Sequence, residues 1–81
     1  MEESFKVKIY GIDKVIYEDE IERITLNGKS GEFTILKDFH NFIGIIRKGE
    51  GLIVKNGKEE TIALGDGILE FKDNRLNIFV E

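Results

Sequence analysis

The sequence predicts an all-β fold, a flattened antiparallel β-sandwich or barrel of about ten short strands. Apolar residues alternate with polar ones in most segments, which is the pattern of a strand with one buried face. Turn residues, mainly glycine, asparagine and aspartate, interrupt these segments at short intervals. No window has helical periodicity, and the frequent isoleucines favour strands because β-branched side chains are restricted in a helix. A single domain over residues 1–81 is therefore expected.

The composition is typical of a small globular domain and excludes several other classes. The 81 residues are 41% hydrophobic and 35% charged, and a chain of this size buries roughly 60–65% of its unfolded surface. The absence of cysteine excludes disulfides and thiolate metal sites. A net charge of -4 provides no basic face for nucleic acid, and no apolar run approaches the roughly 18 residues of a membrane span. The acidic, alternating N-terminus is not a signal peptide, so we expect a cytoplasmic protein.

The first two strands are predicted from residues near the N-terminus. Phe5, Val7 and Ile9 alternate with polar residues, which predicts a half-buried strand. Residues 11–14 have the composition of a turn, and residues 15–17 predict a second short strand. This part of the chain therefore reads as a hairpin.

An acidic run follows, formed by Glu18, Asp19, Glu20 and Glu22. Such a run could bind a metal ion, but neighbouring residues of a strand point to opposite faces, so we interpret it as a solvated edge. Ile21 is out of phase with Ile24 and Leu26, and this predicts a bulge or bend near Glu22-Arg23.

The stretch ITLNGKSGEFTIL, residues 24–36, predicts two short strands joined by a polar loop. The loop, residues 27–32, contains two glycines and the charge pair Lys29 and Glu32. Loops of this kind on a rigid scaffold often carry function, although the same composition is also ordinary loop chemistry. We treat this loop as the candidate working surface.

The second half of the chain continues the strand pattern. Residues 37–42 form an irregular connection that is unusually aromatic, and residues 43–46 resume a strand in which Gly44 indicates a bulge or the close approach of another backbone. Residues 47–51 predict a turn, and Asn56-Gly57 is the strongest hairpin signal, of type I′. Further strands are expected at residues 52–55, 61–64, 68–71 and 76–80, with breaks at residues 65–67 and 73–74.

Two glycine-containing segments resemble nucleotide-binding motifs but are incomplete. Gly28-Lys29-Ser30 looks like the end of a P-loop, but Arg23 stands where the first glycine of that motif is required. A strand follows the segment, whereas the motif requires a helix. Residues 65–67 lack the third glycine of a dinucleotide fingerprint and are interpreted as a bend between strands.

The sequence offers no recognisable catalytic constellation. His40 is the only histidine, so no histidine cluster can bind a metal ion. No serine or threonine stands at the spacing of a nucleophile elbow or triad. Asp38 could orient His40, although such a histidine more often caps or lines a loop. We expect no catalytic residue, no metal site and no cofactor.

Two blocks of the sequence together resemble the N-terminal domain of the ε subunit of F-type ATP synthase. The first block is IERITLNG followed by GEFTIL, at residues 21–28 and 31–36. The second block is NGKEETIALGDGILEF at residues 56–71, and NRLNI at residues 74–78 resembles the closing strand of that family. The resemblance runs over nearly the whole chain without gaps.

The chain departs from the family pattern mainly in its loops. Asn27 stands where proline is usual, Thr34 where glycine is usual, and residues 37–38 replace a proline-glycine pair. The family's histidine position is occupied by Phe39, with His40 one place later. We therefore expect the fold to be retained and the 37–42 loop to be shifted or rebuilt.

The resemblance implies a ten-stranded sandwich in the rotating central stalk, without an active site or cofactor of its own. It implies a non-catalytic rotor subunit that links the γ subunit to the c-ring and couples proton or sodium transport to ATP synthesis. The γ-facing positions of the family, together with the aromatic loop, give an expected γ interface of Gly11, Phe39, His40, Phe42 and Gly44. The ring-facing loop of the family gives an expected c-ring interface of Gly28, Lys29, Ser30, Gly31 and Glu32.

The resemblance also sets expectations for location and regulation. It places the protein at the cytoplasmic face of the inner membrane through the complex, without direct membrane insertion, and we expect a monomer when the chain is isolated. The sandwich ends at Glu81, so the family's C-terminal pair of helices is not expected, and the chain as given should not inhibit ATP hydrolysis. The alternative is a generic β-sandwich interaction module with another partner.

Overall fold

The computed structural model describes residues 3–81 as an all-β domain of nine strands and no helix within that range. The acidic start of the chain, at residues 1–2, lies outside the described residues. The strands are β1 (Phe5–Tyr10), β2 (Val15–Ile21), β3 (Arg23–Gly28), β4 (Gly31–Leu36), β5 (Phe42–Ile46), β6 (Gly49–Lys55), β7 (Lys58–Leu64), β8 (Gly67–Lys72) and β9 (Arg75–Val80). The predicted all-β class is confirmed, and strands occur where the alternating segments indicated them.

The strands form one curled sheet in the order β2-β1-β9-β8-β5-β3-β6-β7, with β4 paired to β3. Every pair is antiparallel except β1 with β9, the first and last strands, which are parallel. The end strands of this order, β2 and β7, each pair with a single neighbour, and so does β4. The curl brings one face of all the strands inward around a shared core.

The core consists of the inward-facing residues of alternating positions. Phe5, Val7 and Ile9 of β1 and Leu76 and Ile78 of β9 are essentially inaccessible to solvent, as their spacing predicts. No polar or charged side chain is buried among the described residues. A fully buried side chain of this size contributes about 1.5–3 kcal/mol relative to exposure, so the alternation itself accounts for much of the stability.

Two tight turns have the backbone geometry of type I′ hairpins. Asn56 and Gly57 have φ angles of 54° and 74°, which confirms the turn predicted from this Asn-Gly pair. Asp73 and Asn74, with φ of 52° and 62°, join β8 to β9 in the same way without a glycine. Aspartate and asparagine tolerate this left-handed conformation better than other non-glycine residues.

The break between β2 and β3 is a single residue. Glu22 forms a bend, and its amide donates to the carbonyl of Val54 at 2.8 Å. This bend lets Ile21 and Ile24 both point into the core despite being out of phase. The predicted bend near Glu22-Arg23 is therefore confirmed.

Three local predictions are wrong in detail. The 24–36 hairpin has a two-residue tip, because residues 27–28 and 31–32 continue the ladder of β3 with β4. Residues 49–51, predicted as part of a turn, begin β6 and pair with β7. Gly44 causes no bulge, since β5 and β8 keep a continuous register, and the group beside it is the ring of Phe42 rather than another backbone.

Side chains join the two ends of the curled sheet. The Tyr17 hydroxyl of β2 donates to Oε1 of Glu60 in β7 at 3.2 Å, and Nζ of Lys55 in β6 pairs with Oδ2 of Asp19. We call these four residues the seam. The hydrogen bond from Lys55, followed by that from the Glu20 amide, lowers the pKa of Asp19. The acidic run is thus mostly part of an edge strand, as predicted, and one of its members, Asp19, helps to close the barrel.

The seam predicts a loss of stability at alkaline pH. Desolvation, with the nearby Glu60 carboxylate, raises the pKa of Tyr17 to about 12 from its ordinary value of 10.0. The folded state therefore holds this proton more tightly than the unfolded state, and the resulting stability is complete below pH 10 and is lost between pH 10 and 12. Because Tyr17 is only half-buried, solvent screening limits the effect to about 1 kcal/mol.

This alkaline loss can be measured by urea unfolding at pH 9 and above. The Tyr17→Phe variant should be less stable than wild type at neutral pH and should lose less stability on the alkaline side. Tyr10→Phe is the matched control, because Tyr10 lies outside the seam. Parallel alkaline curves for wild type and Tyr17→Phe would exclude Tyr17 as the source.

The pairing of β8 with β9 predicts a strict requirement for glycine at position 67. A Cβ atom on Gly67 would overlap the carbonyl oxygen of Phe79, which belongs to the backbone of the paired strand and cannot rotate away. Gly67→Ala should therefore cost about 2–3 kcal/mol of unfolding free energy, the range of an overpacked core. Gly57→Ala, with open space but φ of 74°, should cost only about 1–2 kcal/mol. Equal costs in chemical denaturation would contradict the assignment.

Candidate interaction surfaces

The aromatic connection between β4 and β5 forms a compact cluster. The ring of Phe39 stacks on His40 with centroids 4.4 Å apart and meets Phe42 edge-on at 5.4 Å. Phe39 and Phe42 are half-buried against the core, whereas His40 is exposed. Phe42 also covers Gly44, since a Cβ there would lie 3.1 Å from its ring. The structure thus brings together four of the five residues predicted for the γ interface, and two of them also support the core.

A pair of polar side chains holds this connection in place. The amide of Asp38 donates to Oδ1 of Asn74 at 2.6 Å, and Nδ2 of Asn74 donates to Oδ1 of Asp38 at 2.9 Å. Asp38 has a φ of 67°, a left-handed conformation that this reciprocal pair stabilises. Asn41 adds a third link, because its side-chain oxygen accepts from the Asp73 amide at 3.0 Å. Asp38 therefore bonds to the β8–β9 turn, and among the described residues it makes no hydrogen bond with His40.

Gly11, the fifth residue predicted for the γ interface, lies apart from the aromatic cluster. It follows Tyr10 at the end of β1 where β9, β8 and β5 reach Phe79, Ile68 and Ile45. Its amide donates to the carbonyl of Lys14 at 2.8 Å, closing the turn to β2. The predicted interface is therefore split between two regions of the surface.

The predicted c-ring loop is a two-residue hairpin tip, because its outer residues pair in the ladder of β3 with β4. Lys29 and Ser30 are exposed and form the turn, and Gly28 pairs with Gly31 directly below them. A Cβ on Gly28 would lie 2.9 Å from the ring of Phe33, so this glycine permits close packing under the tip. The tip presents the charges of Lys29 and Glu32 to solvent on strand ends that the ladder holds fixed.

A neighbouring corner of the chain supports this hairpin. Nδ2 of Asn27 donates to the carbonyl of Glu50 at 3.3 Å, and the carbonyl of Asn27 accepts from the Arg47 amide at 2.7 Å. Oδ1 of Asp66 accepts from the Lys48 amide at 2.7 Å. These bonds tie the start of β6 to the hairpin and to the β7–β8 connection. The Asn27 side chain therefore has a structural role at this position, because it bonds the hairpin to β6.

The sequence did not reveal an exposed apolar row that crosses five adjacent strands on the outer face. Consecutive residues of the row are paired across the strands: Val15 with Tyr10, Tyr10 with Phe79, Phe79 with Ile68 and Ile68 with Ile45. We call these five residues the apolar row.

Four of the five members of the apolar row are exposed although they are large and apolar, and Tyr10 is half-buried. Ile45 is 54% exposed, Ile68 52%, and Phe79 and Val15 44% each. The rings of Tyr10 and Phe79 stack in parallel with centroids 4.8 Å apart, which fixes the centre of the row. Ile43, two residues before Ile45 on the same face, is 75% exposed and extends the apolar surface. A contiguous exposed apolar patch on a small domain marks an interaction surface.

One sequence signal could have indicated the row: three strands have apolar residues at their outward-facing positions as well as at their inward-facing ones. The segments FIGII, GILEF and NIFV place apolar side chains at consecutive positions, so both faces of those strands are apolar at one end. A half-exposed strand normally alternates more strictly. Only the strand order, however, shows that these outward residues are neighbours.

The described surface was also compared with two other kinds of site, a metal site and a membrane span. Among residues 3–81, no group of three or more histidine, aspartate or glutamate side chains could hold a metal ion. The same residues include no helix of the length and apolarity needed to cross a membrane. The features with clear geometry are the apolar row, the aromatic cluster and the charged hairpin tip.

Relatives with known names are similar to the chain along its whole length. An ATP synthase epsilon chain from Geobacter sulfurreducens is 32% identical over 81 residues, which are 100% of this chain and 59% of the relative. Another from Pelagibacter ubique is 30% identical over 79 residues, covering 96% of this chain and 61% of the relative. The chain therefore spans about three fifths of the length of these curated relatives.

Solved structures agree on the fold. A chain in the Euglena gracilis mitochondrial ATP synthase structure superposes on 95% of this chain and 50% of its own length, with a TM-score of 0.88 and 16% identity. A chain in the Tetrahymena thermophila central stalk and c-ring structure gives 0.77 over 93% of this chain and 61% of its own, with 17% identity. The sequence model of the family described as ATP synthase, Delta/Epsilon chain, beta-sandwich domain matches residues 4–81. The chain thus belongs to the family of ATP synthase delta/epsilon-chain β-sandwich domains.

Proposed function

We propose that this protein is a non-catalytic subunit of the central stalk of an F-type ATP synthase. In this role it contacts the γ subunit and the polar loops of the c-ring and helps to couple proton or sodium transport to ATP synthesis. Membership of the delta/epsilon-chain family and the printed names of the relatives support the assignment. The observation that carries it is the apolar row, because a subunit of an assembly needs a surface that is stable only when covered.

The apolar row has the properties of a protein interface core. Its centre is a stacked pair of aromatic rings, Tyr10 and Phe79, and large aromatic residues are enriched among those that contribute most to binding. Aliphatic side chains flank the pair on both sides across neighbouring strands. Lys8 and Glu18, on the outer positions below the row, supply the charged rim that such interfaces commonly have. In the proposed stalk this face packs on γ.

The family resemblance predicts five positions that contact γ. Two of them lie beside the apolar row, and the other three lie in a separate region. Gly11 directly follows Tyr10, and Gly44 lies between Ile43 and Ile45, so both border the apolar row in the chain. Neither glycine itself opens the row to a partner, because the side chain of Ile16 lies against Gly11 and the ring of Phe42 lies against Gly44. Phe39, His40 and Phe42 form a second γ-facing region at the opposite end of β5, with His40 as its exposed member.

The hairpin tip is suited to the second proposed contact, with the c-ring. It lies at the end of the domain where Gly28 pairs with Ile46, and it projects along the strands rather than from the sheet face. One domain can therefore contact two partners in different directions. The exposed charges of Lys29 and Glu32 favour polar loops, and each charge pair should contribute about 1 kcal/mol or less.

The proposed role is mechanical, and it determines where the protein acts. The subunit needs no cofactor or active site, because the chemistry belongs to other subunits of the complex. It is held at the cytoplasmic face of the inner membrane through its contacts with γ and the ring, without inserting into the bilayer.

The proposed γ interface predicts the effect of a charge in the apolar row. Ile68→Glu places a carboxylate on an outward-facing, half-exposed position, so the fold should be retained while γ binding weakens by at least about tenfold. Thr61→Glu, an exposed position on the outward side of β7, is the matched control and should bind like wild type. Binding to purified γ can be followed by calorimetry, with circular dichroism to check folding.

The same measurement separates the stalk role from a generic interaction module. A stalk subunit should form a stoichiometric complex with γ that is weakened in Ile68→Glu and unchanged in Thr61→Glu. If wild type does not bind γ at micromolar concentrations, or if both variants bind equally well, the proposed γ contact through this face is excluded.

The proposed ring contact predicts a cross-link from the hairpin tip. Ser30→Cys should form a disulfide with a cysteine introduced into the polar loop of the ring in the assembled enzyme, because the tip is rigid and exposed. Asn56→Cys, on the exposed β6–β7 turn, is the control and should not form one. Yields should fall when Lys29 and Glu32 are both neutralised at low salt. Equal yields from positions 30 and 56 would contradict the proposed orientation.

A further inference from the structure

The chain contains two Asn-Gly steps that can undergo the same spontaneous reaction. Asn27-Gly28 lies in β3, and Asn56-Gly57 forms the turn between β6 and β7. In such a step the backbone nitrogen of the glycine can attack the side-chain amide carbon of the asparagine, because glycine offers no side chain to hinder the approach. The two steps are chemically identical, so any difference between them comes from the fold.

The fold restrains the first step on both sides. Nδ2 of Asn27 donates to the carbonyl of Glu50, and the carbonyl of Asn27 accepts from the Arg47 amide. Both residues of the step also pair within the ladder, Asn27 with Glu32 and Gly28 with Gly31. Turning the Asn27 side chain toward the Gly28 nitrogen would break its bond to β6.

The second step is open. Asn56 and Gly57 are exposed, and the Asn56 side chain makes no hydrogen bond within residues 3–81. Apart from its two chain neighbours, no residue lies within 4 Å of the position that a Cβ on Gly57 would occupy, so the space beside the turn is open. The one contact that restrains the reacting nitrogen is its own donation to Oε1 of Glu22, at 2.9 Å.

We infer that Asn56 is the site of spontaneous isoaspartate formation in this protein and that Glu22 slows the reaction by holding the Gly57 N–H. In the reaction, a bond forms between the Gly57 nitrogen and Cγ of Asn56 while the Cγ–Nδ2 bond breaks. The departing group takes the Gly57 amide proton and leaves as ammonia, giving a cyclic succinimide. Water then adds to either carbonyl of the ring and produces aspartate or isoaspartate at position 56.

The product changes the seam as well as the turn. Isoaspartate adds a backbone carbon to a two-residue turn in which Lys55 pairs directly with Lys58. It also places a new carboxylate next to Glu22, which already accepts from this turn. Because Lys55 is the partner of Asp19 in the seam, modification should weaken the link between β6 and β2. The proposed covalent change thus lies next to Lys55, one of the residues whose contacts close the barrel.

The test is a time course at pH 8 and 37 °C followed by peptide mass spectrometry, with an isoaspartyl methyltransferase as the detection reagent. In the folded protein, the 1 Da mass gain and the methyl-accepting isoaspartate should appear at position 56 at least tenfold faster than at position 27. In 8 M urea the two positions should react at similar rates, because the fold no longer distinguishes them. Asn56→Ser should abolish the folded-state signal, and Asn27→Ser should leave it unchanged.

The role of Glu22 is tested by Glu22→Ala, which should raise the folded-state rate at position 56 several-fold. The rate at position 27 in the same sample reports whether the variant is still folded. Faster reaction at position 27 than at 56 in wild type, or equal rates there, would overturn the assignment of the site. An unchanged or slower rate at position 56 in a folded Glu22→Ala sample would overturn the role of Glu22.

Discussion

The parallel pairing of β1 with β9 is the constraint on which the rest of the structure depends. It joins the first and last strands side by side, with Val7 opposite Leu76 and Ile9 opposite Ile78, all buried. A slip of one residue would turn the buried side chains of one strand to the surface and destroy the core on that side. The same register also places Tyr10 against Phe79, so the outer apolar row exists only because the inner pairing is correct.

The inner face of the sheet could be predicted from sequence because its signal is local. Phe5 and Val7 lie two residues apart and are buried, and Asn56-Gly57 specifies its own turn. A strand cannot be predicted from alternating apolar and polar residues where glycine occupies the inward-facing position. Gly51 is buried in β6 against Leu26, yet a glycine-rich segment reads as a turn when its neighbours are unknown.

The interaction surfaces were less predictable because they depend on strand order. Ile45 and Ile68 are far apart in the chain, and nothing local indicates that they are paired on an outer face. The aromatic cluster was visible as a composition, but composition does not reveal that Phe39 and Phe42 divide their surface between the core and solvent. The resemblance to a family identified regions of contact, whereas the register shows which side chains in those regions are exposed.

The two proposed contacts of the stalk subunit differ in physical character, and this difference suits rotation. The apolar row can contribute strongly when a partner covers it, because its stabilisation scales with the apolar area removed from water and does not depend on charges that salt would screen. The hairpin tip offers screened charges that contribute little affinity. Its value lies in position, since the ladder of β3 and β4 fixes Lys29 at the end of a rigid domain. A subunit anchored by one face and positioned by one tip can transmit movement between its partners without binding both tightly.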